Sequence, residues 1–182
     1  MTVLQRGNKA MTISPTKISN LNTQDIDSKE HTLQFLTFTI GSEEYGVDIM
    51  TVREIKGWSE TTRLPNAQEY IIGVMNLRGS IIPIFDLRAR FGGEYTEATT
   101  KHVFVILAAG DRTVGILVDT VSDIVNSTTD EIQPAPVEDD IVSNGYIKGL
   151  ISKDNRMIVL LEIEKLFDAK DISNLEQELH KE

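Results

Sequence analysis

The chain repeats itself, and this limits the folds open to it more than any other feature. "TLQFLTFTIGSEEYGVDIMTVREI" from Thr32 lies over "KHVFVILAAGDRTVGILVDTVSDI" from Lys101 at a shift of 69 residues. Phe35 meets Phe104, Gly41 meets Gly110 and Gly46 meets Gly115. Thr51-Val52 meets Thr120-Val121, Glu54 meets Asp123, Ile55 meets Ile124, and Pro65 falls on Pro134. After a seven-residue insertion the register resumes at a shift of 76, with "YIIGVMNLRGSIIPIFDLRARF" over "YIKGLISKDNRMIVLLEIEKLF". Tyr70 then pairs with Tyr146, Gly73 with Gly149, Ile82 with Ile158 and Phe91 with Phe167. Glycines, a proline and apolar positions that keep their order over a whole unit mark a tandem duplication. Copy one spans about 32–92 and copy two about 101–168.

Each copy reads as strands. "QFLTFTI" alternates, placing Leu36, Phe38 and Ile40 on one face, and Gly41-Ser42 supplies a Gly-X hairpin loop that Gly110-Asp111 repeats. "EYGVDI" and "TVGILV" return as second strands, and "TVREIKG" and "TVSDIVN" form third elements that open with a short helical turn. "GVMNLRGSIIPIFDLR" and its counterpart give the fourth and fifth strands. Asp86 fits an N-cap before "LRARF", with Gly92-Gly93 as the stop, and "IEKLF" takes that place in copy two. Five short strands per copy predict an all-β protein of two five-stranded barrels with short helices. Units of about 70 residues are marginal alone, so the two are expected to pack together.

The copies differ most at the fourth hairpin. Copy two has Lys153-Asp154-Asn155 there, residue types that tolerate left-handed turn geometry. Copy one has Leu77-Arg78-Gly79. The expectation is a type II turn in which Gly79 takes the positive φ and Arg78 occupies an ordinary position. Arg78 is then either a solvated loop arginine or a guanidinium placed for a carboxylate, with Glu54 as the candidate partner. Pro83 removes a backbone donor, which points to a strand at the barrel rim.

Bulk properties close off other function classes. Residues 1–30 are polar and carry a net charge of +1, which leaves −11 of the overall −10 to the body. So acidic a body repels phosphate backbones, and no basic stripe offsets it, so nucleic-acid binding is not expected. Residues 1–30 read as a disordered leader and 171–182 as a polar, helix-favouring tail. No apolar stretch nears the roughly 20 residues that span a bilayer, and the N-terminus lacks an apolar signal core, which fits a cytoplasmic start. The absence of cysteine removes disulfides and thiolate chemistry. His31, His102 and His180 are dispersed and read as surface histidines, so no metal site is expected. Glu43-Glu44 reads as a charged edge, and "VEDD" at Glu138–Asp140 as a solvated loop. No nucleophile, base and oxyanion donors cluster legibly.

"FLTFTIGSEEYGVDIMTVREIKG", "RLPNAQEYIIGVMNLRGSIIPIFDLRARFG" and "VGILVDTVSDIV…IQPAP" resemble the CheW family, the coupling adaptors of bacterial chemotaxis, from about Leu33 to Phe167. The resemblance implies two SH3-like barrels sharing a hydrophobic seam, no enzymatic activity and no cofactor. It implies two partners: the regulatory domain of a chemotaxis histidine kinase, docked at barrel ends, and the cytoplasmic tips of methyl-accepting chemoreceptors, held in an apolar groove. The protein would be cytoplasmic and recruited to the inner face of the membrane through receptor arrays. By resemblance Val52, Glu54 and Arg78 are coupling residues, and Val103 and Val121 are groove positions. From period alone the same valines read as core packing. Two other readings stand beside this one. A small barrel enzyme or ligand carrier would need a deep polar pocket, and a regulatory domain clipped from a larger kinase would be missing upstream chain.

Overall fold

The computed structural model describes residues 32–65, 67–136 and 145–167. The readings placed on residues 1–30 and 171–182, on His31 and His180, and on "VEDD" lie outside the described residues.

Among the described residues ten strands form, five in each copy: β1 (Leu33–Ile40), β2 (Glu43–Asp48), β3 (Val52–Gly57), β4 (Ile71–Leu77) and β5 (Ser80–Asp86), then β6 (Val103–Ala109), β7 (Arg112–Val118), β8 (Thr120–Ser127), β9 (Ile147–Lys153) and β10 (Arg156–Leu161). A 3₁₀ turn at Ile49–Thr51 precedes β3, so the helical turn belongs to copy one, while β8 starts without one. Short helices α1 (Leu87–Arg90) and α2 (Ile163–Leu166) close the copies where expected. Asp86 caps α1 by accepting from the Arg88 and Ala89 amides. The same buried carboxylate accepts from Thr96 N at 2.6 Å and Thr96 Oγ1 at 3.0 Å, which pins the linker between the copies. Gly41 and Gly110 make their hairpins with φ of 64° and 62°.

The two sheets do not correspond to the two copies. One runs β8-β1-β2-β10-β9 and the other β3-β6-β7-β5-β4. The third strand of each copy pairs with the first strand of the other, and the second with the other's fifth, in parallel. Exchanging the copies turns one strand order into the other, so the sheets are related by an internal pseudo-twofold. The expectation of one barrel per copy is corrected accordingly, because neither copy holds enough strands of either sheet to complete it. Nor does a ladder close the sheets into barrels. Connecting backbone crosses one outer strand of each sheet instead: at β4 Thr62 exchanges two 2.8 Å bonds with Val74, and at β9 Gln133 exchanges bonds of 2.9 and 2.8 Å with Leu150.

Those crossings explain two of the repeated glycines. At Gly73 a Cβ would collide with the Thr62 carbonyl, and at Gly149 it would lie 2.8 Å from the Gln133 carbonyl oxygen. Only a residue without a side chain lets backbone pass that close.

Pro83 is not on a rim strand. β5 lies between β7 and β4. Val74 spends both its backbone groups on Thr62, so its partner Pro83 turns its nitrogen toward β7. The β5–β7 ladder begins one residue later, at Ile84 opposite Gly115, whereas its counterpart includes Val159 opposite Tyr45. The missing donor coincides with a ladder that starts later along the strand, and it marks no edge. Glu44 is also interior: β2 lies between β1 and β10, and its carboxylate meets Arg156 Nη1 at 3.0 Å.

Each sheet buries both faces, which is why the strands carry so many apolar residues. Leu36, Phe38 and Ile40 do share a face, and they join Val105, Leu107, Ile116, Phe85 and Phe167 in a core between the sheets. Phe104, Ile106, Ile82 and Ile84 fill the opposite face of one sheet, and Phe35, Ile151, Ile158 and Leu160 that of the other. Burying each such side chain contributes roughly 1.5–3 kcal/mol.

Candidate protein-docking site

Val52 and Val121 occupy the same position in the two copies, each at the start of the outer strand of a sheet. Both are partly buried against the inter-sheet core, as is Val103 at the start of β6. The period-based reading as core packing holds in part: all three valines pack at the margin of the shared core.

A bulge determines what else reaches that margin. β3 shifts register between Val52, opposite Leu107, and Glu54, opposite Ile106. Leu107 points into the inter-sheet core and Ile106 into the other face. The extra residue therefore sends Glu54 away from Val52, although a spacing of two would put them on one face. It brings Ile55, opposite Val105, onto the Val52 side instead. β8 does the same, with Val121 opposite Phe38 and Ile124 opposite Leu36. Ile55 is 47% exposed and Ile124 52%, so each outer strand turns a valine and an open isoleucine toward the seam. Sequence reasoning missed both isoleucines, because an apolar residue kept in both copies reads as core. Met50 was missed as well; it sits on the 3₁₀ turn two residues before Val52 and is 80% exposed. Ile81 and Met157, equivalent residues just past the two hairpin tips, are also open.

Glu54 and Arg78 meet. Arg78 Nη2 lies 2.9 Å from Glu54 Oε2. Because β3 and β4 are opposite ends of one sheet, the pair spans its open edge and shows that the sheet curls until the ends approach. The contact is ionic without being an aligned hydrogen bond, since Glu54 Oε2 is shielded from solvent and accepts none. Arg78 is itself mostly exposed, leaving its other donors free for a partner. In the second sheet Asp123, the counterpart of Glu54, takes its cation from Arg156 at 3.4 Å. There Lys153 Nζ also donates to the Asn126 carbonyl oxygen at 2.6 Å, tying the hairpin to the outer strand.

The turn beneath Arg78 differs from expectation. Arg78 has φ 52° and Gly79 φ 91°, so both central residues are left-handed, as a two-residue hairpin of type I′ requires. Asp154 and Asn155, at φ 49° and 63°, make the same turn in copy two. The right-handed twist of the strands dictates this geometry; a type II turn would splay them. Asn76 Oδ1 steadies the loop by accepting from Gly79 N at 2.8 Å. Arg78 thus holds its position at a backbone cost of roughly 1 kcal/mol.

His102 is not a surface histidine. Its ring is largely covered, with Nδ1 accepting from Thr99 N at 3.0 Å and Nε2 3.6 Å from Asp119 Oδ1. Asp119 also accepts from Gly41 N and pairs with Arg88, so it joins a hairpin, a helix and the linker. Among the described residues no group of three or more His, Asp or Glu could hold a metal ion, and no helix is long and apolar enough to cross a membrane.

Comparison with known proteins agrees with this architecture. The family model of the CheW-like domain matches residues 34–171. The chemotaxis protein CheW of Klebsiella aerogenes is 42% identical over 140 residues, 77% of this chain and 84% of that protein. A probable chemotaxis protein CheW of Rhizobium etli is 42% identical over 138 residues, covering 76% and 89%. The crystal structure of the scaffolding protein TtCheW from Thermoanaerobacter tengcongensis superposes with a TM-score of 0.69 at 29% identity, over 76% of this chain and 90% of that one. With its duplicated strands, open seam and matching domain, the chain belongs to the CheW family.

Proposed function

We propose that the seam between the two sheets is the surface on which this chain receives chemoreceptors, while the hairpin ends meet the kinase. As a CheW-family member the protein is a non-catalytic chemotaxis scaffold that couples receptors to the CheA-type histidine kinase. The observation that carries the assignment of surfaces is the exposure of Ile55 and Ile124 beside Val52 and Val121, because open apolar side chains at the rim of a core are what an interface centre uses. The receptor tip would rest on Val52, Ile55, Val103, Val121 and Ile124. The regulatory domain of the kinase would dock at the sheet ends near Ile81 and Met157, and Arg78 with Glu54 would set charge complementarity there. The two interleaved sheets then act together as the core of a CheW-like domain assigned to residues 31–170. The protein acts in the cytoplasm, brought to the inner face of the membrane through receptor arrays.

A pull-down of the full chain with purified kinase regulatory domain and with a receptor tip fragment tests this. Val52→Asp should lose the receptor fragment and retain the kinase domain. Unchanged receptor affinity would refute the assignment.

A further inference from the structure

An open cleft lies between the β3–β4 connection and the linker that leads to β6. It has two contiguous lobes, of about 710 and 390 Å³, which share Arg63, Ile72, Tyr95 and Glu97. The larger lobe extends to Glu69, the smaller to Trp58 and Glu60. None of these residues is among those placed on the docking surfaces above.

Chemistry sets the occupant. Ile72 is buried and gives both lobes an apolar lining, while Tyr95 is 43% exposed and offers a ring face. The chain's own Arg63 guanidinium lies 6.0 Å from the ring centroid, so an incoming cation shares that ring with it or displaces it. Three carboxylates, those of Glu60, Glu69 and Glu97, stand against this one arginine. A positive charge entering the cleft therefore meets an aromatic face and excess negative charge, in a molecule whose formal net charge is −10. Copy two does not repeat the arrangement: Ser127, Thr129 and Ile132 stand where copy one has Trp58, Glu60 and Arg63. The carboxylates are spread over both lobes, so one isolated cation would use only part of the cleft, whereas an extended chain with spaced basic residues would use all of it.

We propose that this cleft binds an extended cationic peptide segment, seating one arginine or lysine side chain against Tyr95 and Glu97 and its basic neighbours against Glu60 and Glu69. This site is independent of the receptor and kinase surfaces and belongs to one half of the duplication only.

Trp58 is the only tryptophan in the chain and lines the smaller lobe, so its emission reports occupancy directly. The full chain is titrated with the blocked peptide acetyl-Gly-Arg-Gly-Arg-Gly-amide, with the glutamate analogue of that peptide, and with spermidine. The arginine peptide should produce a saturable change in emission that added salt weakens, and the glutamate analogue should produce none. Glu97→Gln and Tyr95→Ala, both at exposed positions, should each weaken binding about tenfold with an unchanged circular dichroism spectrum. Three results would each overturn the proposal: no saturable change, equal affinity in Glu97→Gln, or tighter binding of spermidine than of the peptide.

Discussion

The Thr37 hydroxyl donates to Asp123 Oδ1 at 2.7 Å, across the bulge that joins β1 to β8. At the equivalent place in the other sheet Ile106 stands opposite Glu54, and no hydroxyl is present. One bulge is thus stitched from within, and the other depends on Arg78 reaching over from a hairpin tip. The two edges of the molecule are therefore held by different contacts, a buried hydroxyl in one sheet and a mostly exposed arginine in the other.

Arg78→Asn separates docking from folding. Asparagine tolerates the left-handed backbone that copy two fills with Asp154 and Asn155. The lost ion pair is exposed on the arginine side and worth about 0.2–1 kcal/mol, which the relieved backbone offsets. The melting temperature should stay level or rise, while capture of the kinase domain falls. Thermal unfolding beside the pull-down checks both, and undiminished capture would remove Arg78 from the coupling surface.

The Thr37–Asp123 bond also makes a prediction about acid. The Thr37 hydroxyl foremost, and Arg156 after it, hold the Asp123 carboxyl below the usual aspartate range. A depressed carboxylate adds stability above its unfolded pKa, and that increment is lost as pH falls through the folded value. Between neutral pH and pH 5 Thr37→Val should lose a roughly constant increment, of up to about 1 kcal/mol because Asp123 is half exposed and screened. Below pH 4 the difference from wild type should shrink. Urea unfolding at several pH values reads it, and a difference that grew on acidification would contradict the assignment.

Gly73→Ala should be among the most damaging single substitutions. The new methyl would strike the Thr62 carbonyl, and φ at this residue is 151°. Both the crossing bonds and the β4 bulge would have to shift, at a cost of roughly 2–4 kcal/mol. Gly57→Ala is the control: it also lies on a strand, but its added methyl has open space. A Gly73→Ala melting temperature close to that of the control would show that the crossing is pliable.

Ile124→Asp and Ile55→Asp should leave the fold intact, because both side chains are about half exposed. Each should weaken binding of a receptor tip fragment about tenfold or more, with kinase-domain binding nearly unchanged. Parallel titrations with the two partners distinguish this from global damage, since a misfolded variant would lose both.

Much of this was legible in the sequence, because duplication supplies an internal alignment. The strands, the Gly41 and Gly110 turns and the Asp86 cap followed from residue type and spacing, while Glu54 was one of two readings of where Arg78 goes, and the structure selects it. The exchange of strands between copies did not, since hydrophobic period marks a strand without naming its neighbour. The conformation of Arg78 was missed for a related reason: loop length and strand twist decide the turn type, and residue preference yields to them. Pro83 misled because a proline excludes one hydrogen bond, whereas edge status is a property of a whole strand.

The interleaving of the sheets bears on the protein's ancestry. A single unfused half could finish a sheet only by borrowing strands from a second half, so the molecule has the plan of a domain-swapped dimer written as one chain. In such a dimer both hairpin tips would be the same by necessity. Joining the halves in one chain lifts that constraint, and here one tip carries Asp154-Asn155 and the other Arg78-Gly79. A symmetric ancestor could offer only identical ends; a fused descendant can present different ends to different partners.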